Sequence, residues 1–368
     1  MRKIIIVLSV VALVCFGTFG CSKDNGEKTK ETPEAAKENS GKIKVGLSFS
    51  DFATERWAVE RDKMTKLLKD KGYEVIAQGA NHDPKTQNDQ IENMVTQGAK
   101  VILIVAEDGA ASAIAVDKAK RAGVQCIAYD RLIKTPNVAC YISFDNVEVG
   151  REQARGILKV KDSGRFVLLG GSPTDNNAVL FRNGQMEVLQ PLIDKGQIRI
   201  VADQWVDNWE QEIALKKMEN ILTAQKNQID AVVASNDNTA LGAIQALKAQ
   251  KLAGKVPISG QDASLAGCRA IVDGDLTMTV YKDYNQLVPL AIDIAIKLAN
   301  GEKVESLKNY SLAELSLDKN LKGEIPCKFI KVVPVDKNNI YDVIVKSGVK
   351  PWDEVYAGVP VAERPPKP

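Results

Sequence analysis

The sequence predicts an α/β protein made of two similar domains, each a doubly wound parallel sheet. Its 368 residues exceed what one small core needs, and 45% of them are hydrophobic. From residue 43 onward, apolar runs of strand length alternate with amphipathic stretches of helix length, and this alternation occurs twice over similar lengths. Mostly apolar strands that alternate with helices are typical of parallel sheets covered on both faces.

The first twenty residues predict an export signal. Arg2 and Lys3 precede an apolar run, from Ile4 to Phe19, that is too short for a comfortable transmembrane helix. Small Gly20 directly before Cys21 resembles the lipobox of bacterial lipoproteins, although Thr18 stands where leucine is usual. We therefore expect lipidation at Cys21, with simple secretion as the alternative. Residues 21–42 are polar and lack aromatic side chains, which predicts a flexible tether.

The first alternating half begins after this tether. Glycines follow the predicted helices at Gly72, Gly98 and Gly123, where a helix C-cap favours glycine. The expected strands are 43–49, 73–78, 101–105, 124–129 and 141–144, and the expected helices lie near 55–71, 85–97 and 110–122.

The second half repeats the pattern. The expected strands are 166–169, 198–201, 231–234, 256–259 and 278–281, and the expected helices lie near 176–195, 209–226, 238–250 and 264–272. Polar and charged residues follow the predicted strands in both halves. They include Ser50, Asp51, Glu107, Asp108, Asp130, Arg131, Asp145, Asn146, Ser172, Asp175, Asp203, Asn236, Asp237, Gln261, Asp262 and Lys282. Ligands of open parallel sheets bind outside the carboxyl ends of the strands, so these residues indicate a site, although loops are polar for other reasons too.

Composition and motifs disfavour several functions. A net charge of +2 argues against binding by neutralisation of nucleic-acid phosphates, and the single histidine, His82, excludes a multi-histidine metal site. His82 lies in a turn sequence and is expected in a surface loop. The sequence contains no phosphate-binding loop, nucleophile elbow or zinc-protease motif. We expect neither a cofactor nor a metal and no enzymatic activity, while paired carboxylates leave an enzyme formally open.

The four cysteines after the tether form no metal-binding or redox pair. Cys126, Cys140, Cys268 and Cys327 are widely spaced, and none belongs to a Cys-x-x-Cys motif. We expect buried free thiols rather than a disulfide between Cys126 and Cys140.

The chemistry at the strand ends suits a neutral polyol. Hydroxyl groups are held best by charged hydrogen-bonding partners, and the C–H faces of a sugar need flat aromatic side chains. Trp57 and Trp209 follow strands in different halves, so they could enclose a ring from two sides. The alternative is that each tryptophan is an ordinary core residue.

Longer stretches of the chain resemble the bacterial periplasmic sugar-binding proteins of ABC transporters. The resemblance extends from about residue 43 to about residue 345. It is carried by ERW at 55–57, AYDR at 128–131, YISFDN at 141–146, GGSPTDNNA at 170–178, FRNGQM at 181–186, DQWVDNW at 203–209, VVASND at 232–237, SGQD at 259–262 and TMTVYK at 277–282.

The resemblance implies two lobes joined by three crossing strands near 145, 281 and 320. The N-terminal lobe would be 43–145 plus 282–320, the C-terminal lobe 146–281 plus 321–345, and the tail 346–368. The ligand residues that it implies are Arg56, Trp57, Asp130, Arg131, Asp175, Asn177, Arg182, Trp209, Asn236, Asp262 and Lys282. The expected ligand is D-xylose, with ribose, arabinose or glucose as alternatives.

The same resemblance implies binding by hinge closure and delivery of the sugar to an ABC permease. The protein would be a monomer, held near the membrane by its lipid anchor. A sugar-sensing module that presents ligand to a membrane receptor kinase is an alternative with the same site. A transcription regulator of this fold would need a basic DNA-binding segment where this chain carries its signal and tether.

Overall fold

The computed structural model describes residues 41–368 of the chain. The predicted signal segment 1–20, the lipidation at Cys21 and the tether up to residue 40 lie outside the described residues. Among residues 41–368, no helix is both long enough and apolar enough to span a bilayer.

Strands and helices alternate in the predicted order. The strands are β1 Lys44–Phe49, β2 Glu74–Gly79, β3 Ala99–Ile104, β4 Gln125–Tyr129, β5 Cys140–Phe144, β6 Gly164–Gly170, β7 Ile198–Trp205, β8 Ala231–Ala234, β9 Ser259–Gln261, β10 Met278–Tyr281, β11 Lys308–Ser311, β12 Glu324–Ile330 and β13 Val333–Asp336. The helices are α1 Glu55–Asp70, α2 Pro84–Thr96, α3 Ala111–Arg121, α4 Asn146–Leu158, α5 Asn176–Asp194, α6 Gln211–Ala224, α7 Asp237–Ala249, α8 Leu265–Asp273, α9 Tyr284–Ala299, α10 Leu312–Ser316 and α11 Trp352–Val355. Single helical turns cover Asp207–Trp209, Tyr341–Val345 and Val361–Glu363.

The first sheet has seven strands in the order β11-β12-β5-β4-β3-β1-β2. Its pairs are parallel except for β11 with β12. Helices α1 and α9 pack against each other, as do α2 and α3. The predicted parallel sheet is therefore confirmed, with one antiparallel strand added at its edge.

The second sheet is assembled from two three-stranded pieces, β7-β6-β8 and β9-β10-β13. A parallel bridge between Val232 and Ile258 joins them. Its pairs are parallel except for β10 with β13. Both halves of the chain thus form the same kind of sheet, as the repeated pattern predicts.

The chain passes between the two sheets three times. The first passage lies at Asp145 and the second directly after β10; the resemblance implies crossings near 145 and 281. The third passage lies between Ile330 and Val333, so the crossing predicted near 320 is wrong. Strand β12 pairs in parallel with β5 and therefore belongs to the first sheet.

Strand β9 also differs in position from the predicted strand. It occupies Ser259–Gln261 rather than the predicted 256–259. Pro257 lacks a backbone N–H and cannot donate to a ladder, although its carbonyl accepts a hydrogen bond from the Val232 N–H at 2.9 Å. The strand therefore begins after the proline, which brings Gln261 and Asp262 to its carboxyl end. Helix α4 and strands β11 to β13 have no counterpart among the predicted elements.

Local details of the prediction are confirmed at the glycines and the cysteines. Gly72, Gly98 and Gly123 have φ angles of 88°, 86° and 79°, in the left-handed region that suits a helix end. Cys126, Cys140, Cys268 and Cys327 are buried free thiols. Burial raises the pKa of Cys126, Cys140 and Cys327 to about 12, so these thiols stay protonated and unreactive at neutral pH.

The tail after residue 345 packs back on the folded chain. Helix α11 contacts α8, and the Arg269 Nε donates to the Glu354 carbonyl at 2.6 Å. Lys350 contacts Glu55, the first residue of α1. The tail therefore links a helix of the second sheet to a helix of the first.

Candidate functional site

The carboxyl ends of the two sheets line a cavity. Its lining contains ten of the eleven predicted ligand residues. The lining residues are Thr54, Arg56, Trp57, Asp130, Arg131, Asp175, Asn177, Phe181, Trp209, Asn236, Gln261, Asp262 and Lys282. We call Thr54, Arg56, Trp57, Asp130 and Arg131 the first wall, because they follow strands of the first sheet. We call Asp175, Asn177, Phe181, Trp209, Asn236, Gln261 and Asp262 the second wall. Lys282 lies in the second passage between the sheets.

In the first wall, two arginine side chains pack near the indole of Trp57. Arg56 and Trp57 lie in the first turn of α1, and Arg131 follows β4. The Cζ atoms of Arg56 and Arg131 lie 4.6 Å and 5.6 Å from the centre of the Trp57 ring. Both guanidinium groups thus pack near the ring within the range of cation–π attraction.

Asp130 is the central anion of the cavity. Its Oδ2 lies 2.8 Å from Arg56 Nη2 and 3.1 Å from Lys282 Nζ, and its Oδ1 accepts from Asn177 Nδ2 at 3.0 Å. Burial alone would raise the pKa of Asp130. The Arg56 and Lys282 cations outweigh burial and hold that pKa well below its usual range. Asp130 is therefore ionised and gathers groups from three separate parts of the chain.

Arg131 forms the second ion pair across the cavity. Its Nε lies 2.8 Å from Asp175 Oδ2, and its Nη1 lies 3.7 Å from Glu107 Oε2. Asp175 is also the N-cap of α5, because its carboxylate accepts from the Asn177 N–H at 2.9 Å. Burial raises the pKa of Asp175 in spite of the opposing Arg131 cation. One carboxylate thus starts a helix and positions a charge in the cavity.

Trp209 enters the second wall by packing on a glycine. It follows β7 in a short helical turn and lies edge-on to Phe181, with ring centres 6.1 Å apart. A Cβ atom added to Gly171 would lie 1.9 Å from the Trp209 ring. Any larger residue at 171 would displace the indole. This contact gives the Gly-Gly-Ser stretch after β6 a role in shaping the cavity.

Acceptors without partners occur in the second wall. Asn236 is engaged as the N-cap of α7, accepting from the Thr239 N–H at 2.9 Å. Gln261 Oε1 and Asp262 Oδ1, by contrast, are buried and have no hydrogen-bond partner, although Arg56 Nη1 lies 3.6 Å from Asp262. Buried acceptors need hydrogen-bond donors, and a ligand with hydroxyl groups at this site can supply them.

Three lining residues also have strained backbones. The φ angles of Asp130, Trp209 and Asp262 are 61°, 60° and 96°, in the left-handed region that side-chain-bearing residues rarely adopt. Such conformations cost about 1–3 kcal/mol each and cluster at functional sites. The strain indicates that the fold holds these side chains where a ligand needs them.

The charges that line the cavity balance. Arg56, Arg131 and Lys282 supply three positive charges, and Asp130, Asp175 and Asp262 supply three negative ones. Because a buried net charge would demand a counter-charge, a balanced lining suits a neutral ligand. Strong donors and acceptors together match hydroxyl groups, which both donate and accept.

Arg182 is the predicted ligand residue that the structure does not bring to the cavity lining. Its Nε donates to Gln185 Oε1 at 3.0 Å, its Nη1 contacts Asp203, and its guanidinium lies 5.0 Å from the Trp205 ring centre. Helical residues rotate by about 100° per position, so Phe181, four positions after Asn177, shares the cavity face while Arg182 turns to the side.

Three residues that line the cavity were not among the predicted ligand residues: Thr54, Phe181 and Gln261. Gln261 stands among the polar residues noted at strand ends, so a signal for it existed. Phe181 could have been found from its spacing of four after Asn177, which places both on one face of α5. We find no sequence signal for Thr54 beyond its position shortly after β1.

His82 lies in the predicted turn, but its side chain is only partly exposed. Its Nδ1 lies 3.2 Å from Glu107 Oε2, and its Nε2 lies 3.9 Å from Asp51 Oδ2. The hydrogen bond to Glu107 and the nearby Asp51 raise the pKa of His82, in spite of burial. The donor atoms of these three residues lie within 4.8 Å of one another, a spacing that a metal ion could bridge. Each ring nitrogen already faces a carboxylate, so contacts within the protein account for the cluster.

Two sheets of repeated α/β topology with a balanced, hydroxyl-matching cavity between them define a two-lobed binding protein for a small neutral ligand. The model of the periplasmic binding protein domain matches residues 45–303 of this chain. The chain therefore belongs to the periplasmic binding protein family, with the type I fold.

Relatives of known specificity align with most of the chain. The D-xylose-binding periplasmic protein of Haemophilus influenzae is 47% identical over 314 residues, covering 85% of this chain and 92% of that protein. The protein of the same name from Escherichia coli K12 is 47% identical over 306 residues, covering 83% of this chain and 90% of its own length. A solute-binding protein of an ABC transporter from Clostridium phytofermentans, solved with β-D-glucose, is 31% identical with a TM-score of 0.75, covering 85% of this chain and 99% of that structure.

Proposed function

We propose that this protein captures D-xylose in the cavity between its two sheets and delivers it to the permease of an ABC transporter. The observation that carries the proposal is the convergence of ten predicted ligand residues on one cavity with three cations and three anions. A neutral sugar can exchange hydrogen bonds with all six charges and leave none unpaired.

The relatives support the choice of sugar. Two proteins at 47% identity over more than four fifths of this chain carry D-xylose binding in their names. The cavity supports a monosaccharide by its lining, because charged hydrogen-bonding groups and the indoles of Trp57 and Trp209 face it from both walls. Arg182 is excluded from the contacts we assign, because its guanidinium faces Asp203 and Trp205.

Closure of two lobes is the proposed mechanism. The N-terminal lobe would comprise 43–145 and 282–330, and the C-terminal lobe 146–281 and 331–345, which follows the sheet membership of β12. Ion pairs and hydrogen bonds link the lobes across the cavity, among them Arg131 with Asp175 and Asn177 with Asp130. A ligand that bridges both walls favours the closed arrangement, because only there can it contact both.

We assign the protein a receptor role without turnover, outside the cytoplasm. The predicted signal at 1–20, lipidation at Cys21 and the tether at 21–42 would hold a monomeric binding unit beside the membrane that contains its permease. The polar tether would span roughly 25 Å if it behaves as a flexible chain.

A titration of the purified protein with D-xylose, ribose, arabinose and glucose, followed by tryptophan fluorescence, tests this function. We expect saturable binding of D-xylose with a micromolar or lower Kd, which corresponds to a binding free energy of about −8 kcal/mol or more negative. Trp209→Ala should abolish the binding, while Trp352→Ala, in the tail, should preserve it. Unchanged sugar after incubation, measured by chromatography, is expected for a receptor.

Two results would count against the proposal. Binding of another sugar in preference to D-xylose would overturn the choice of ligand and keep the binding role. Conversion of the sugar to a product would overturn the receptor role itself.

A further inference from the structure

We propose that Glu60, which lies outside the cavity lining, is a positioning residue that fixes the guanidinium of Arg56 for sugar binding, and that the Tyr129 hydroxyl fixes Glu60. This proposal rests on the proposed function, because it concerns the same site. Both residues lie outside the cavity lining; Glu60 belongs to none of the quoted motifs, and Tyr129 lies in the AYDR stretch at 128–131 without an assigned role.

The geometry begins with helix α1. Arg56 and Glu60 are four residues apart, so they lie on one face of the helix, and Arg56 Nε donates to Glu60 Oε1. This contact uses the inner edge of the guanidinium. The two Nη groups remain directed at Asp130, 2.8 Å away, and Asp262, 3.6 Å away. Glu60 therefore determines which donors of Arg56 reach the cavity.

The support behind Glu60 comes from the first sheet. The Tyr129 hydroxyl donates to Glu60 Oε2, so both carboxylate oxygens are engaged. Tyr129 is the last residue of β4 and directly precedes Asp130. The same strand end thus positions the anion that Arg56 contacts and the phenol that secures the residue behind Arg56. Glu60 and Tyr129 are both 0% exposed, which leaves little room for alternative rotamers.

Arg56 needs such support more than a shorter side chain would. A free arginine loses much rotamer entropy when it is fixed, and an unsupported Arg56 would lose it upon binding the sugar. With Glu60 in place, the side chain is already ordered before the ligand arrives. Preorganisation of this kind improves affinity without any new ligand contact.

The first experiment compares Glu60→Gln with a matched control, Glu92→Gln, on the exposed face of α2. We expect D-xylose binding at least tenfold weaker in Glu60→Gln and unchanged in Glu92→Gln. Glu60→Asp, which keeps the charge, should recover part of the loss. Tyr129→Phe should weaken binding by about threefold, and adding it to Glu60→Gln should weaken binding no further, because the two act in series.

The pH dependence of the Kd distinguishes a positioning role of Glu60 from a general destabilisation of the fold. Burial raises the pKa of Glu60 in spite of the opposing Arg56 cation. The groups that face it are Arg56, Tyr129, Asp130 and Tyr284. As pH falls, Glu60 of the wild type becomes neutral and comes to resemble glutamine. The ratio of the Kd of Glu60→Gln to the Kd of the wild type should therefore approach one on acidification. Asp175 and His82 titrate in both proteins, so their effects largely cancel in this ratio.

A Kd for Glu60→Gln within twofold of the wild type would overturn the proposal. The proposal would also be overturned if Glu60→Gln binds more weakly but two further results are obtained. These are that the ratio of its Kd to the wild-type Kd stays constant with pH, and that Glu60→Asp recovers none of the lost affinity. If Glu60→Gln does not fold, Tyr129→Phe decides by the same titration, and an unchanged Kd there overturns the proposal.

A ligand-free measurement keeps this proposal separate from the choice of sugar. Arg56 lies 4.6 Å from the Trp57 ring centre, so its release should alter Trp57 emission. We expect Glu60→Gln to change the emission of the sugar-free protein, and not to change it in a Trp57→Phe background. Absence of the change would overturn the positioning role, whichever sugar the wild type binds.

Discussion

The two walls of the cavity differ in how their polar groups are held. In the first wall, Arg56 and Arg131 pack near Trp57, and a buried glutamate lies behind each of them, Glu60 and Glu107. In the second wall, Gln261 Oε1 and Asp262 Oδ1 are buried without partners. The charges of the first wall are therefore paired within the protein, although Trp57 Nε1 there is also buried without a partner, and the second wall presents the acceptors that a ligand can complete.

The carboxylates behind the walls show the same difference. Glu60 contacts the Arg56 cation. Asp237, behind the second wall, accepts instead from the Thr279 hydroxyl at 2.8 Å and the Ser264 N–H at 2.7 Å. Burial and the neighbouring Asp262 raise the pKa of Asp237 to about 7. The Glu60 carboxylate thus faces a cation that opposes the effect of burial on its pKa, whereas Asp237 faces a second carboxylate that adds to that effect.

The largest effect is expected where the walls meet. Asp130→Asn removes the anion that pairs with Arg56 and Lys282, and leaves two buried cations without it. We expect D-xylose binding at least a hundredfold weaker, about 3 kcal/mol, by isothermal titration. Asp108→Asn, outside the cavity lining, is the control. A loss below fivefold would show that the walls do not depend on a shared anion.

The next effect concerns stability behind the second wall. Between about pH 4 and pH 7, the folded protein holds a proton on Asp237 that the unfolded chain has lost. The free energy of unfolding should therefore fall as pH rises through this range, by about 4 kcal/mol from this group, since its pKa rises from 3.8 to about 7 on folding. Asp237→Asn should remove that part of the slope in urea unfolding, while Asp273→Asn should keep it. An equal slope in both variants would contradict the raised pKa.

A smaller effect is expected from the packing of Trp209. Gly171→Ala places a methyl group where the Trp209 ring lies and should weaken sugar binding about tenfold. Gly170→Ala is a matched control, because the Cβ that it adds meets Trp205, which does not line the cavity. Equal loss of affinity in both variants would attribute the effect to the β6 loop rather than to Trp209.

The smallest effect concerns the tail. Lys350 contacts Glu55, whose Oε2 also accepts from the Leu265 N–H at 3.1 Å, so this group links helices of both sheets beside the cavity. Lys350→Met should weaken binding two- to fivefold, as expected for one partly exposed ion pair. Lys346→Met, which removes an exposed pair with Asp342, should leave the Kd unchanged. A larger loss in the control would show that tail folding, not the Glu55 contact, is responsible.

The sequence predicted the parts of the site that follow from strand ends. Asp130, Arg131, Asn236 and Asp262 directly follow predicted or observed strands, and the carboxyl ends of parallel strands share one edge. Arg182 could not be placed in this way, because a one-residue step on α5 decides between the cavity and Asp203. The motif that contains it also contains Phe181, which takes the cavity face.

The parts of the fold that follow from the local pattern of apolar and polar residues were predicted. The parts that depend on pairing between strands far apart in the chain were missed. Alternation of apolar strands and helices indicated both sheets. Strand β12 follows a short antiparallel partner and was assigned to the wrong lobe, because its pairing with β5 joins residues far apart in the chain. The residues behind the cavity, including Glu60, were also missed, since burial of a glutamate becomes evident only once its side chain meets Arg56 and the Tyr129 hydroxyl.

The balance of charges within the cavity has a consequence for release. Asp130 pairs with Arg56 and Lys282, and Arg131 also lies 3.7 Å from Glu107 of the first sheet. When the two walls separate, the pairs of Arg131 with Asp175 and of Arg56 with Asp262 open, but each of the three cations keeps a carboxylate neighbour. Departure of the ligand then exposes no cation without a counter-charge. Added salt should accordingly have little influence on the pairs that persist, because they are buried and weakly screened.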